Sequence, residues 1–452
     1  MISVLTGVQE QRGERHSRLY ASRLSTIQST HDLHRRAVTV AAIALAAAGA
    51  CDATGDETAT TARRCLTGGE AVADAPSGSE CDWPQAGRSP RRTGYNDGES
   101  VLSPETVGGL VEAWAVPIED ESSVDSLARP VVWRGSVFAT AGQELVSLDA
   151  ETGAPRWGFT GQFDHFVNAP AVSAGHVHAT NIDALMAFDA ETGAELWRVP
   201  PAAFDYNVSA PLVSGFVTLV TAHRLADPDA TNVHAIAATT GEQLWNNSVS
   251  GANVARRAAA ADERFYMAMP SSEILAVRTF DGVEQWVHAF ADGQVGSPAV
   301  SRGVVVMPWV QCCADLAQAI QAVDAETGAP AWTADLACTL PLDFSPVVDG
   351  TRVYVACDAP GGGVEIVALS LETGAVEMDV TVGDGTLSGE LSGANGVLYV
   401  GATDGFLRAL DASTGAELLA IELGAPMSQP AIANGRVLIG AGSTVHALAL
   451  PD

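Results

Sequence analysis

The sequence predicts an all-β protein: an eight-bladed β-propeller of four-stranded antiparallel blades, closed by an N-terminal strand that joins the C-terminal blade. Three observations lead there. A short stretch, first seen as DAETGAPRW at Asp149 to Trp157, is written seven times. Its glycines are Gly153, Gly193, Gly241, Gly282, Gly328, Gly374 and Gly415, at steps of 40, 48, 41, 46, 46 and 41 residues. A β-rich period of about 40–50 residues is the length of a propeller blade. Five of the copies carry tryptophan four residues past the glycine. Finally, the run Ser428 to Asp452 supplies three strands of an eighth copy, and the outer strand it lacks is present as VEAWAVP, Val111 to Pro117.

The repeat explains itself physically. An alternating apolar strand, such as Leu145 to Asp149, precedes each copy. Asp-x-x-Thr-Gly then closes a tight turn, in which the acid bonds backbone amides and glycine takes positive φ. The tryptophans at the fixed position are Trp157, Trp197, Trp245, Trp286 and Trp332, with Met378 and Leu419 in the last two copies and Trp114 in the split one. One large apolar group per blade is what packing between radial sheets requires. These residues are therefore expected to dock one blade on the next. Joining the two termini in one blade leaves no free sheet edge along the ring.

This pattern resembles the pyrroloquinoline-quinone-like propeller repeat superfamily, which includes quinoprotein dehydrogenases and BamB-like lipoproteins. A second signature, DWPQAGRSPRRTGYN at Asp82 to Asn96, is similar to the opening of many secreted bacterial members. The resemblance covers about Asp82 to Asp452. It implies a fold and leaves the activity open, since one fold hosts enzymes and binding modules alike.

The chain ahead of the propeller reads as an export segment and a tether. His34, Arg35 and Arg36 precede an apolar run from Ala37 to Ala50, too short to span a bilayer and suited to a signal-peptide core. The run ends Ala48-Gly49-Ala50-Cys51, similar to the bacterial lipobox, so residues 1–50 are expected to be a signal peptide and Cys51 to carry lipid. Residues 51–81 are expected to be a flexible tether, poor in large apolar side chains, and residues 82–452 the propeller. The expected location is the periplasmic side of the outer membrane or the cell surface.

Composition excludes several classes. The formal charge is −30, and all 24 basic residues are arginine. Without lysine there is no P-loop, Schiff-base or kinase-type site, and so acidic a surface repels nucleic acid. No Gly-x-Ser-x-Gly or His-Glu-x-x-His occurs. His176 and His178 point to one side of a strand without a recognisable third ligand, so no metal is expected.

With Cys51 assigned to lipid, six cysteines remain: Cys65, Cys81, Cys312, Cys313, Cys338 and Cys357. In an exported chain they are disulfide candidates. Cys65 and Cys81 can close a small loop. The other four are expected to meet on one face of the ring. Their connectivity is not readable from sequence; the preferred arrangement joins one of Cys312 and Cys313 to Cys338 and the other to Cys357.

Two function classes follow from the resemblance. The first is a non-catalytic envelope lipoprotein that serves as a protein-binding scaffold, including in outer-membrane protein assembly, with no cofactor and with envelope proteins as partners. Here Arg256 and Arg257, in the irregular stretch before blade four, are the candidate partner contact, although the leucines of the comparable BamB loop are lacking. The second is a quinone-dependent dehydrogenase of alcohols or sugars. The adjacent pair Cys312-Cys313 resembles the lid disulfide of such enzymes, but their metal and general-base motifs have no counterpart that can be matched residue by residue.

Overall fold

The computed structural model describes residues 81–118, 127–161, 166, 168–181, 184–199, 206–223, 230–250, 258–269, 272–291, 293–311, 317–424 and 426–451. All belong to one compact unit, Ala62–Asp452. The expected signal peptide, the lipid-bearing Cys51 and nearly all of the tether lie outside these residues.

Eight sheets follow one another around a ring, each built on four antiparallel strands, and three carry a short fifth strand: Tyr206–Val208 in blade three, Gln294–Val295 in blade five and Tyr95–Asn96, which pairs in parallel with the inner strand of blade seven. Blade one is Arg129–Trp133, Ser136–Ala141, Glu144–Asp149 and Pro155–Thr160. Blade two runs from Ala171–Ser173 to Glu195–Val199, blade three from Leu212–Ser214 to Gln243–Ser250, and blade four from Ala258–Ala261 to Glu284–Ala289. Blade five spans Ala299–Ser301 to Pro330–Leu336, blade six Val347–Val348 to Val376–Val382, and blade seven Ser392–Ala394 to Glu417–Glu422. Blade eight is composite. Ala431–Ala433, Arg436–Ala441 and Thr444–Ala449 come from the C-terminal end, and its outer strand, Val111–Pro117, comes from the N-terminal side.

Burial explains the strand compositions. The second strand of each blade has neighbours on both faces, so Ser136–Ala141 is buried at every position. The outermost strand has one face in water, and Pro155–Thr160 alternates accordingly. Every outer strand also carries a register shift beside its tryptophan position, as between Ser147 and Leu148 in blade one and between Glu112 and Trp114 in blade eight. The extra residue bends the strand and turns the large side chain onto the neighbouring blade.

The turns form as their sequence requires. Asp149 Oδ1 accepts hydrogen bonds from the backbone N–H of Glu151 and of Thr152, at 3.1 and 2.9 Å, and from Thr152 Oγ1 at 2.9 Å. Asp189, Asp324 and Asp411 repeat the pattern. In each case a hydroxyl or guanidinium bonded to the acid holds its carboxyl below the usual range; Asp149, paired with Arg156, lies at about 2.

The tryptophans sit between blades. Each indole packs on the turn glycine of the following blade: Trp114 on Gly153, Trp157 on Gly193, Trp197 on Gly241, Trp245 on Gly282, Trp286 on Gly328 and Trp332 on Gly374. Each Nε1–H also donates to a carbonyl of that same turn, from Trp114 to Ala150 at 3.2 Å through Trp332 to Leu371 at 2.8 Å. Between blades six and seven, Met378 and Val380 take this place against Gly415. Trp245 and Trp286 are the most enclosed, and burying an indole contributes on the order of 4 kcal/mol.

Candidate functional site

The centre of the ring is filled by the chain itself. The segment Asp82 to Asn96 runs around the axis and bonds the inner strand of every blade in turn. Trp83 pairs with Val132 of blade one through N–H to carbonyl bonds in both directions, at 3.0 and 2.8 Å. The Pro84 carbonyl accepts from Val172 of blade two, and Gln85 exchanges bonds with Val213 of blade three. The carbonyls of Pro90, Arg91, Thr93 and Gly94 accept from Ala260, Val300, Val348 and Gly393 of blades four to seven. Asn96 then donates from Nδ2 to the carbonyl of Ile432 in blade eight, at 2.7 Å, and to that of Cys81, at 3.0 Å. The second of these bonds closes the segment on its own beginning.

Local sequence makes this path available. Gly87 and Gly94 take positive φ at the bends, as do Arg88 and Arg92, and the prolines lack an N–H that would otherwise need a partner on the crowded axis. Arg92 is 1% exposed and holds the segment together, donating from Nε to the carbonyl of Ala258 at 2.6 Å and from Nη1 to that of Ala86 at 3.2 Å. Burial lowers its pKa to about 10.

Beside this ring lies a cavity of about 150 Å³. Trp83 and Ala86 of the ring contribute to its wall, with Leu127, Arg129 and Pro130 from blade one, Ala169 from the start of blade two, Phe344 ahead of blade six, Ser388 to Glu390 ahead of blade seven, and Met427 to Gln429 ahead of blade eight. It holds one cation, Arg129, whose pKa burial lowers, and one buried carboxylate, Glu390. Gln429 ties the wall to the ring: its Oε1 accepts from the Gly87 N–H at 2.9 Å.

The cysteines are arranged differently from the preferred expectation. Cys338 is bonded to Cys357, so neither can pair with Cys312 or Cys313. The reason is backbone pairing. The segment leading into blade six lies antiparallel to the end of the second strand of that blade, with Thr339 and Asp358 exchanging N–H to carbonyl bonds at 2.9 and 3.0 Å, which sets Cys338 beside Cys357. Cys81 is disulfide-bonded. Cys65, Cys312, Cys313, Arg256 and Arg257 lie outside the described residues.

His176 and His178 have no third His, Cys, Asp or Glu grouped with them among the described residues. Their rings stand 6.3 Å apart. His178 is fully buried against Trp197 and near Thr218 Oγ1, and burial, aided by the nearby His176, lowers its pKa to about 3. Among the described residues, the one grouping of three His, Cys, Asp or Glu close enough to share a cation is Cys338, Cys357 and Glu365. Its sulfurs are bonded to each other, which leaves no thiolate to ligate a metal.

Sequence reading missed the ring and the cavity wall. The only signal was the DWPQAGRSPRRTGYN stretch itself, rich in the Gly, Pro and Arg needed to turn the chain inside a narrow bore.

Comparison with known proteins agrees with this architecture. The family profile described as outer membrane protein assembly factor BamB matches residues 112–227 and 229–394. Among solved structures, BamB from Moraxella catarrhalis is similar with a TM-score of 0.60 and 15% identity, over 75% of this chain and 99% of that one. Quinohemoprotein alcohol dehydrogenase from Comamonas testosteroni is similar at 0.64 and 14%, over 82% and 80%. The computationally designed Ika8 protein is similar at 0.61 and 16%, over 75% and 99%. At such identities these likenesses speak for fold alone. A sequence search of curated proteins finds no match.

Proposed function

Because the chain belongs to the family described as outer membrane protein assembly factor BamB, we propose that it is a non-catalytic propeller that acts as a protein-binding scaffold in the cell envelope, in outer-membrane protein assembly. The observation that carries this reading is the occupied hub. The ring Asp82 to Asn96 bonds all eight inner strands, so the axis is spent on holding blades together, and the solvent-facing loops are left to meet partners. In this reading Cys51 bears the lipid that anchors the chain, on the periplasmic side of the outer membrane or at the cell surface, and Arg256 and Arg257 touch the partner. No helix among the described residues is long and apolar enough to cross a membrane.

A quinone-dependent dehydrogenase would need a site for its cofactor. A carboxylate-bearing tricyclic quinone with its divalent cation needs a large cavity and several oxygen ligands. The hub cavity of about 150 Å³ is the size that takes a molecule like benzene. The grouping around Cys338 lacks the ligand atoms. Neither site among the described residues fits the quinone.

Crosslinking in intact envelopes followed by affinity capture tests the scaffold reading. Recovery of an outer-membrane assembly component, reduced by substitution of Arg256 and Arg257, is the expected result. Alcohol oxidation by the purified protein supplied with pyrroloquinoline quinone and calcium would overturn it.

A further inference from the structure

The outer strand of each blade exposes an edge, and natural sheets guard such edges with charge. Seven of the eight outer strands follow the rule: each carries at least one Asp, Glu or Arg, as Val111–Pro117 carries Glu112. Blade three does not. Its outer strand, Gln243–Ser250, reads QLWNNSVS, without an ionisable residue, and at 8 residues it is the longest of the eight among the described residues. Past the bulge it pairs residue for residue with the strand inside it, from Trp245 opposite Ala235 to Ser250 opposite Ala230. The result is a regular, uncharged edge with a row of main-chain groups turned outward.

The flank of this edge is apolar. Trp245 donates from Nε1 to the carbonyl of Thr279 at 2.9 Å, and Asn247 donates from Nδ2 to that of Gly282 at 2.7 Å. These bonds set the strand beside the blade-four turn that bears Phe280 and Val283, and Val287 follows on the outer strand of that blade. Leu244, Phe280, Val283 and Val287 are all exposed. Of the eight large apolar side chains exposed among the described residues, six belong to blades two to four, so the patch is local and not a general property of the rim. Within the turn, Arg278 and Asp281 pair with each other at 2.8 Å.

The character of the edge selects its occupant. A basic partner, which the formal charge of −30 would otherwise attract, finds no carboxylate on this strand. Two acidic copies of the chain, conversely, meet with least repulsion where the outer strand has no charge. What fits is an uncharged strand with an apolar flank, and a second copy brings that same strand. We propose that the outer strand of blade three pairs with itself, antiparallel across a twofold axis, to make a dimer. The contact is isologous: the outward N–H and carbonyl groups of each copy meet those of the other, and the apolar flanks cover one another.

Sedimentation of the full chain tests this. Dimers should form, and raising salt from about 0.05 to about 0.5 M should tighten them by screening the repulsion between two acidic bodies. Asn246 is exposed on the strand, and Asn246→Asp places a like charge on both copies, which should weaken the dimer at least about tenfold. Ala420→Asp, the same kind of change at an exposed position on the outer strand of blade seven, should leave the dimer as it was. A chain that stays monomeric at about 0.1 mM in both salts, dimers indifferent to Asn246→Asp, or dimers weakened equally by Ala420→Asp would each overturn the proposal.

Discussion

The indole of Trp157 closes on Gly193 of the next blade so tightly that a β-carbon there would lie 2.7 Å from the ring. Gly193 also holds φ at +72°. Gly193→Ala therefore pays twice, by displacing the indole and by forcing a side chain into left-handed backbone. The expected loss is about 2–4 kcal/mol, measured by urea denaturation. Gly175→Ala, at a turn where nothing lies within 4 Å of the new carbon, should lose only about 1 kcal/mol.

Stability should fall in mild acid, and His178 should carry much of the fall. Its folded pKa of about 3 lies below the ordinary 6.5, so the unfolded chain takes up a proton that the folded one refuses. Its contribution is whole above about pH 6.5 and is lost as pH descends toward 3, at up to about 1.4 kcal/mol per pH unit. The turn aspartates, all shifted down, add to the loss below about pH 4. In His178→Leu, the slope of urea midpoint against pH between 7 and 5 should flatten; an unchanged slope would show that other groups dominate.

Replacing both Cys338 and Cys357 by serine should cost about 3 kcal/mol, the entropic worth of a crosslink spanning 19 residues. The fold should persist, because the Thr339 to Asp358 bridge holds the same two segments through backbone bonds. Circular dichroism unchanged at 25 °C with a lowered midpoint is the expected outcome.

Arg92→Ala should loosen the hub. It removes two charge-assisted bonds to carbonyls of the ring and of blade four and opens a cavity beneath 1% exposure. The expected cost is about 3–5 kcal/mol. Proteolysis should then cut within Asp82 to Asn96 before any blade, and fragments appearing first from the blades would contradict the hub's role.

The blade count was legible because each turn spells its own geometry: Asp149 must bond two amides, Gly153 must take positive φ, and the tryptophan must follow one bulge later. The outer strand Val111–Pro117 was legible for the same reason, since Trp114 occupies the repeated position. The hub was not. Pro84, Pro90, Arg91, Thr93 and Gly94 bond through their main-chain carbonyls, which any residue offers, so no side-chain pattern advertises the partners. The Cys338 to Cys357 bond was hidden likewise, behind a two-residue bridge too short to leave a periodicity. Arg129 and Glu390 lie 261 positions apart, and only the ring brings them to one cavity.

The clasp of Asn96 on Ile432, and the outer strand Val111–Pro117 on Thr444–Ala449, join stretches synthesised at opposite times. A nascent chain could stack its first seven sectors early, yet their core would lack its latch until the last strand emerged. Such a molecule stays open for as long as it is being made, and its ring shuts only when the last-made strands reach the first.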